Sequence, residues 1–243
     1  MLKKPGRQSR VSSTVDHRYY PAFIDLRGKQ CIVVGGGKVA ERKVAALLRS
    51  GAKVTVISPF LTGVLANYSE TKRIRHVKRK YRKGDLEDAF IVIAATSDGR
   101  VNQEVSLEAP CLLNVVDAPE LANFIVPSVI KRGPLALAVS TSGSSPSLAK
   151  SIRKELELLY TKEFGLFVDF LGKQREKALT YIADDGIRER LMKQIAAPEM
   201  LRTLRKKGFK ATRDAVVTIL KESKQYAVSR KQKRKGSQKK AAK

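Results

Sequence analysis

A glycine-rich turn between a strand and a helix is the feature that most constrains the fold of this chain. The apolar, β-branched run 30–34 leads directly into three consecutive glycines, 35–37. Apolar residues then recur with helical spacing over 39–48, and a second strand-like run occupies 53–57. Together these segments predict a strand–helix–strand unit of the kind found in parallel sheets.

The glycines in this unit match the dinucleotide-binding pattern Gly35-x-Gly37-x-x-Ala40. Gly35 allows the tight turn out of the strand, Gly37 lets the backbone approach a pyrophosphate, and Ala40 lets the helix pack close to the sheet. The amides of Lys38 and Val39 then open the helix and face the anion. A purely structural turn is the alternative interpretation, because glycines between a strand and a helix are common.

The end of the second strand departs from the usual pattern. An acidic residue normally lies there and binds the ribose 2′-hydroxyl, but no Asp or Glu occurs between Glu41 and Glu70. The segment is Ser58-Pro59-Phe60, in which the serine hydroxyl can reach the ribose and the phenyl ring can flank the adenine. No Lys or Arg follows within several residues to hold a 2′-phosphate, which favours NAD over NADP.

Strand-like and helical segments continue to alternate along the chain, which predicts a Rossmann-type doubly wound parallel sheet. The further segments are a helix over 61–68, a strand over 74–77, a strand over 90–95, a helix over 98–108, a strand over 111–116, a strand over 135–140 and a helix over 146–160. Helical spacing over 161–225, with breaks at Gly172, Gly186, Pro198 and Gly208, predicts a small helical domain.

Charge points to a polyanionic partner. The formal net charge is +26, and twelve of these charges lie in the polar ends, 1–18 and 222–243. Nucleic acid, an acidic membrane surface and a small molecule with many carboxylates or phosphates all fit this excess of positive charge.

The two cysteines, Cys31 and Cys111, lie in apolar runs, which indicates buried thiols in a reducing cytoplasm. No apolar stretch follows the lysines near the N-terminus, and the longest continuous apolar runs are under ten residues, so neither a signal peptide nor a membrane span is expected.

Four separate motifs resemble the precorrin-2 dehydrogenase family, which includes the N-terminal module of siroheme synthase and its chelatase relatives. They are YPAFIDL at 20–26, VVGGGKVAERK at 33–43, NVVDAPELANF at 114–124 and SGSSP at 142–146. The resemblance covers about residues 19–160, in order and at compatible spacing. It implies NAD-dependent oxidation of precorrin-2 to sirohydrochlorin in siroheme biosynthesis, and in some members ferrochelation of the product. It also implies a homodimer.

Asp117 is the candidate catalytic residue. It follows a buried-looking strand, at the carboxyl end of the sheet where open α/β sites form, and it matches the acidic residue to which the family motif assigns catalysis. As a general base it would accept the proton released during oxidation. An Asx-type turn before Pro119 is the alternative role for its carboxylate.

The substrate-binding candidates are Asn114, Thr141, Ser142, Gly143 and Ser144. The last four belong to a loop that resembles the family's substrate loop, where hydroxyls and free amides before a helix can bind carboxylates. An ordinary capping loop fits the same residues, and a buried amide holding the backbone fits Asn114. No His or Cys cluster has the spacing of a metal site, so none is predicted.

The predicted organisation has five parts. They are a disordered basic arm over 1–18, an NAD-binding Rossmann domain over 19–113, a central dimerisation and active-site segment over 114–147, a helical domain over 148–225 and a disordered basic tail over 226–243. The competing hypothesis is an NAD-binding regulator or nucleic-acid binder that has kept the fold. Only 6% of the residues are aromatic and none is tryptophan, so we expect nucleic acid to bind at most nonspecifically through the tail.

Overall fold

The computed structural model describes the backbone of residues 19–241 and the side chains of 19–223 and 225. The basic arm predicted over 1–18 lies outside the described residues. The chain divides into two compact units, the first ending at Val126 and the second beginning at Pro127. None of the helices described combines the length and apolar content that crossing a bilayer requires.

A five-stranded parallel sheet forms the first unit, with strand order β3-β2-β1-β4-β5. Its elements are β1 (Gln30–Val34), α1 (Lys38–Arg49), β2 (Lys53–Ile57), α2 (Gly63–Glu70), β3 (Arg75–Val77), β4 (Ile91–Ala94), α3 (Gly99–Glu108), β5 (Leu112–Val115) and a 3-10 turn (Pro119–Leu121). The strand order reverses between β1 and β4, as in doubly wound folds. The predicted Rossmann-type architecture is therefore confirmed.

Alternate residues of the central strands supply two separate hydrophobic clusters. Val33 of β1 belongs to the cluster that contains Val44 of α1, whereas Val34 belongs to the cluster that contains Val105 of α3. Strand β4 is buried along its whole length, which explains its continuous apolar sequence. Cys31 is a buried free thiol, and burial raises its pKa to about 11.

The second unit combines a β-hairpin with four helices. Its elements are β6 (Ser128–Arg132), β7 (Leu135–Val139), α4 (Pro146–Leu159), α5 (Lys162–Tyr181), α6 (Asp185–Ile195) and α7 (Pro198–Ala241). Helix α7 is interrupted at Gly208, which has a φ of 78°. A cluster that includes Phe164, Phe167, Leu191 and Val216 forms the helical core.

Three features of the second unit differ from the sequence-based expectations. The strand expected over 135–140 pairs antiparallel with β6, which was not predicted, and takes no part in the parallel sheet. Helix α5 runs through Gly172, because a single glycine at an exposed position costs a helix only about 1 kcal/mol. Helix α7 continues to Ala241 and so includes residues 226–241. The low apolar content of this segment had suggested a disordered tail, but its Lys, Arg and Gln residues favour helix.

The first unit also extends beyond the boundary expected at residue 113. Strand β5 pairs with β4 in the parallel sheet, and the loop that follows it belongs to the first unit up to Val126. The loop is held there by Asn123, whose main-chain N–H donates to the carbonyl of Leu113 at 3.0 Å. The role of 114–147 in dimerisation stays a prediction.

Candidate functional site

A cavity of about 580 Å³ lies at the carboxyl ends of the parallel strands of the first unit. Its walls come from the segments that follow β1, β2, β4 and β5, around the point where the strand order reverses. The lining residues are 35–39, 58, 60–62, 95–97, 116 and 117. Open α/β sheets bind ligands at this position.

The first two glycines of the turn are needed because other backbone segments approach them closely. Gly35 has a φ of 123°, and a Cβ there would lie 2.4 Å from the carbonyl oxygen of Ala95, after β4. A Cβ on Gly36 would lie 1.9 Å from the carbonyl oxygen of Phe60, after β2. Gly36 is therefore as constrained by close packing as Gly35, although the sequence pattern allows any residue at its position.

Gly37 has a different environment from the other two glycines. A Cβ there would meet nothing within 4 Å, so the space above this residue is open. Gly37 is also the N-cap of α1 and offers no side chain to the helix, whereas Thr62 and Asp98 cap α2 and α3 with side-chain oxygens. The first-turn amides of α1 are thus left for an anion in the cavity.

Six of the seven residues predicted to bind the cofactor line this cavity: Gly35, Gly37, Lys38, Val39, Ser58 and Phe60. The ring of Phe60 is 83% exposed, as a face for an adenine requires, whereas Ser58 is 8% exposed. Pro59, the seventh, lies between them and is half-buried. The open space over Gly37 and the first-turn amides of α1, which no side chain caps, fit a dinucleotide pyrophosphate. The individual contacts with the cofactor stay predictions.

Asp117 also lines this cavity, in a loop that is fixed at both ends. The N–H of Val116 donates to the Ala94 carbonyl at 2.9 Å. At the other end, Oδ1 of Asn123 accepts from the N–H of Leu113 at 2.7 Å, and its Nδ2 donates to the Cys111 carbonyl at 2.9 Å. The Asn123 side chain thus takes the place of a peptide group beside β5.

Backbone strain accompanies this fixed loop. Asp117 has a φ of 61°, one of three non-glycine residues of the described part with positive φ, and its carboxylate is exposed. Such conformations persist where the surroundings over-determine them, often at functional sites. An Asx turn would need an N–H at residue 119, which is proline, so Asp117 cannot make the turn considered for it, and the residue lines the cavity.

Lys43 and the predicted substrate-binding residue Asn114 form a polar contact that was not expected from the sequence. The half-buried Lys43 donates to Oδ1 of Asn114 at 3.5 Å, and Nδ2 of Asn114 donates to the Phe124 carbonyl at 3.2 Å. Burial, followed by the nearby Arg42, lowers the pKa of Lys43, and the Asp117 carboxylate opposes this effect. Asn114 is buried and does not line the cavity, so its position is that of a support for the loop.

The four remaining predicted residues form a tight turn in the second unit. Ser142 and Gly143 both have positive φ, and the N–H of Ser144 donates to the Thr141 carbonyl at 2.9 Å. The next residue, Ser145, caps α4 through its side chain. Ser145 therefore has the capping role. Residues 142–144 are exposed, and their role in substrate binding stays a prediction.

Among the described residues no group of three or more His, Cys, Asp or Glu side chains has the arrangement of a metal site.

Comparison with known families agrees with the division of the chain. Residues 22–128 match a family described as NAD(P)-binding. Residues 132–158 match a second family, described as the central part of a sirohaem biosynthesis protein. The two matches follow each other without overlap and together include every predicted site residue.

Individual proteins show the same relationship. The siroheme synthases of Methylobacillus flagellatus and Nitrosococcus oceani are 46% and 39% identical to this chain, over 64% and 71% of its length. The chain spans about a third of the length of these curated relatives, 34% and 37%. Among solved structures, SirC, a precorrin-2 dehydrogenase, matches with a TM-score of 0.72 at 26% identity, over 82% of this chain and all of that one.

Proposed function

We propose that this chain, which belongs to the precorrin-2 dehydrogenase and siroheme synthase family, oxidises precorrin-2 to sirohydrochlorin with NAD. One observation supports this proposal above the others. A single cavity holds the uncapped amides of α1 on one wall and the carboxylate of Asp117 on another. The cofactor site and a proton acceptor thus share one space.

The reaction removes one hydride and one proton from the reduced macrocycle. NAD supplies the hydride acceptor when bound and leaves as NADH. The amides of Lys38 and Val39 hold the pyrophosphate, and the absence of a side chain at Gly37 lets the backbone approach it. Asp117 accepts the proton and later releases it to solvent, so that precorrin-2 and NAD⁺ yield sirohydrochlorin, NADH and H⁺.

The substrate's own charge gives a role to the basic residues of the chain. Precorrin-2 carries eight carboxylates, and a net charge of +26 raises its rate of encounter with the protein. We assign the exposed turn 141–144, with its hydroxyls and main-chain amides, to the binding of one or more of these carboxylates. We assign this role to no individual lysine or arginine.

Anaerobic incubation with precorrin-2 tests the proposed function directly. We expect NADH and the absorption spectrum of sirohydrochlorin to appear together in equal amounts with NAD, and more slowly with NADP. Fe²⁺ or Co²⁺ added after oxidation is complete then tests metal insertion as a second activity. Binding of NADH without any turnover of precorrin-2 would contradict the proposal and favour an NAD-binding regulator instead.

We also propose that the chain forms a homodimer in the cytoplasm. Both cysteines are free thiols, Cys31 buried and Cys111 half-buried, which suits a reducing compartment. Helix α4 buries only Ala149 within the chain, whereas Leu148, Leu158 and Leu159 are at least half-exposed. Apolar side chains grouped in this way are typical of an interface between subunits.

Charge placed on this helix should separate the subunits. We expect the double variant Leu148→Glu/Leu159→Glu to sediment as a monomer at concentrations where the wild type sediments as a dimer. Leu107→Glu, at a leucine of α3 that is 90% exposed, is the control and should remain dimeric. A wild type that is monomeric at all concentrations, or a dimer that survives the double substitution, would show that α4 is not the interface.

A further inference from the structure

We propose that Glu41 on α1 makes the site selective for NAD over NADP, in place of the acidic residue that is missing at the end of β2. This inference rests on the proposed function, because it concerns the dinucleotide bound in the cavity. Glu41 belongs to the sequence motif at 33–43, where no role was predicted for it. Its side chain is 18% exposed.

Hydrogen bonds carry the Glu41 carboxylate across to the segment that follows β2. Its Oε2 accepts from the hydroxyl of Thr62 at 2.7 Å. The N–H of Thr62 donates to the Gly36 carbonyl at 3.0 Å, and its hydroxyl also accepts from the N–H of Leu65 at the start of α2. Thr62 therefore joins the glycine turn, α1 and α2, with Glu41 fixing its hydroxyl.

The same carboxylate oxygen pairs with the ammonium of Lys38 at 3.3 Å. Lys38 is 78% exposed and is the one basic side chain among the described residues that line the cavity. The Thr62 hydroxyl, followed by Lys38, lowers the pKa of Glu41, so the carboxylate is ionised at neutral pH. Glu41 thus neutralises the cation that would otherwise attract an additional phosphate.

Selectivity follows from these two contacts. NADP differs from NAD by a phosphate dianion on the adenosine ribose, and the ribose normally lies beside the end of β2. Both partners of Glu41, Thr62 and Lys38, line the cavity, and Thr62 belongs to the segment that follows β2. A fixed negative charge here repels the 2′-phosphate and withholds Lys38 from it, while leaving a ribose hydroxyl unaffected.

Binding of NADH and NADPH to the full-length protein tests the inference without any catalytic assay. The fluorescence of the reduced nicotinamide reports its binding directly. In Glu41→Gln the amide oxygen still accepts from Thr62, but the charge is lost. We expect the Kd for NADPH to fall about tenfold, which corresponds to about 1.4 kcal/mol, and the Kd for NADH to stay within twofold.

Two further variants separate charge from structure. Thr62→Val breaks the hydrogen bond but keeps both charges, so it should weaken NADH and NADPH equally and leave their ratio unchanged. Glu70→Gln removes the same charge from an exposed position at the end of α2 and should leave both affinities unchanged.

The outcomes distinguish this inference from the proposed function. A wild type that binds neither dinucleotide would contradict the proposed function itself. NADH binding with an unchanged NADPH affinity in Glu41→Gln, or an equal gain in Glu70→Gln, would overturn the role of Glu41 alone.

Discussion

Alanine at position 37 is expected to leave the protein folded and to weaken NAD binding by about 10- to 150-fold. That range corresponds to the loss of one hydrogen bond to a charged group, about 1.5–3 kcal/mol. The added methyl would meet no protein atom within 4 Å and would project into the space proposed for the pyrophosphate. Because the φ of Gly37 is −85°, alanine adopts its backbone conformation, and loss of the glycine N-cap costs at most about 1 kcal/mol.

The neighbouring glycine gives the contrasting result. Gly36→Ala would place a methyl 1.9 Å from the Phe60 carbonyl oxygen, which no side-chain rotation relieves. We expect a loss of stability of about 3 kcal/mol, seen as a lower urea midpoint for the first unit. Gly172→Ala, at an exposed position in α5, should instead stabilise slightly and leave the Kd for NADH unchanged.

Dinucleotide affinity and unfolding midpoints, measured on all three variants, separate the two effects. Unchanged NAD affinity in a folded Gly37→Ala protein would show that the pyrophosphate does not approach this residue. Equal destabilisation by Gly36→Ala and Gly37→Ala would show that the turn has only a structural role.

The part of the site that sequence could predict is the part built from adjacent residues. The turn 35–40 lies within one strand–helix–strand unit, and each predicted property of it follows from local spacing and from the small size of glycine. The predicted position of Asp117 also follows locally, because a residue after a buried parallel strand must lie at the carboxyl edge of the sheet. Both segments line the same cavity in the structure.

Contacts between distant parts of the chain could not be predicted in this way. The constraint on Gly36 comes from Phe60, and the partner of Lys43 is Asn114, 71 residues away. Neither pair has a signal in composition or periodicity. The support of the Asp117 loop by Asn123 could not be predicted from local sequence patterns either. It depends on a side-chain amide that takes the place of a strand's peptide group.

The hairpin β6–β7 was missed for a related reason. Its strands alternate little between polar and apolar residues, and the turn at Gly133, with a φ of 56°, sets their pairing. The strand over 135–140 was therefore predicted without its partner, because no strand was predicted over 128–132. The turn chemistry at Gly133-Pro134, rather than the strand sequence, would have indicated an antiparallel pair.

Asp117→Asn is expected to lower kcat for precorrin-2 oxidation by about 10²–10⁴-fold, the usual contribution of a positioned general base. Asparagine has nearly the same shape and tolerates the left-handed backbone that residue 117 adopts, so the loop should keep its conformation. The Kd for NADH should be unchanged, because the substitution keeps the shape of the residue and Asp117 belongs to a different segment from the α1 amides assigned to the pyrophosphate. Anaerobic turnover under saturating NAD and precorrin-2 measures the effect.

The matched control is Glu120→Gln, which removes an exposed carboxylate from the same loop three residues further on. It should retain full activity, since Glu120 does not line the cavity. If Asp117→Asn also retains full activity, solvent takes the proton and Asp117 has only a conformational role. If both variants lose activity equally, the effect comes from the charge of the loop as a whole. A loss confined to Asp117→Asn, with NADH affinity unchanged, assigns the proton transfer to this carboxylate, because the two variants differ only in which side chain faces the cavity.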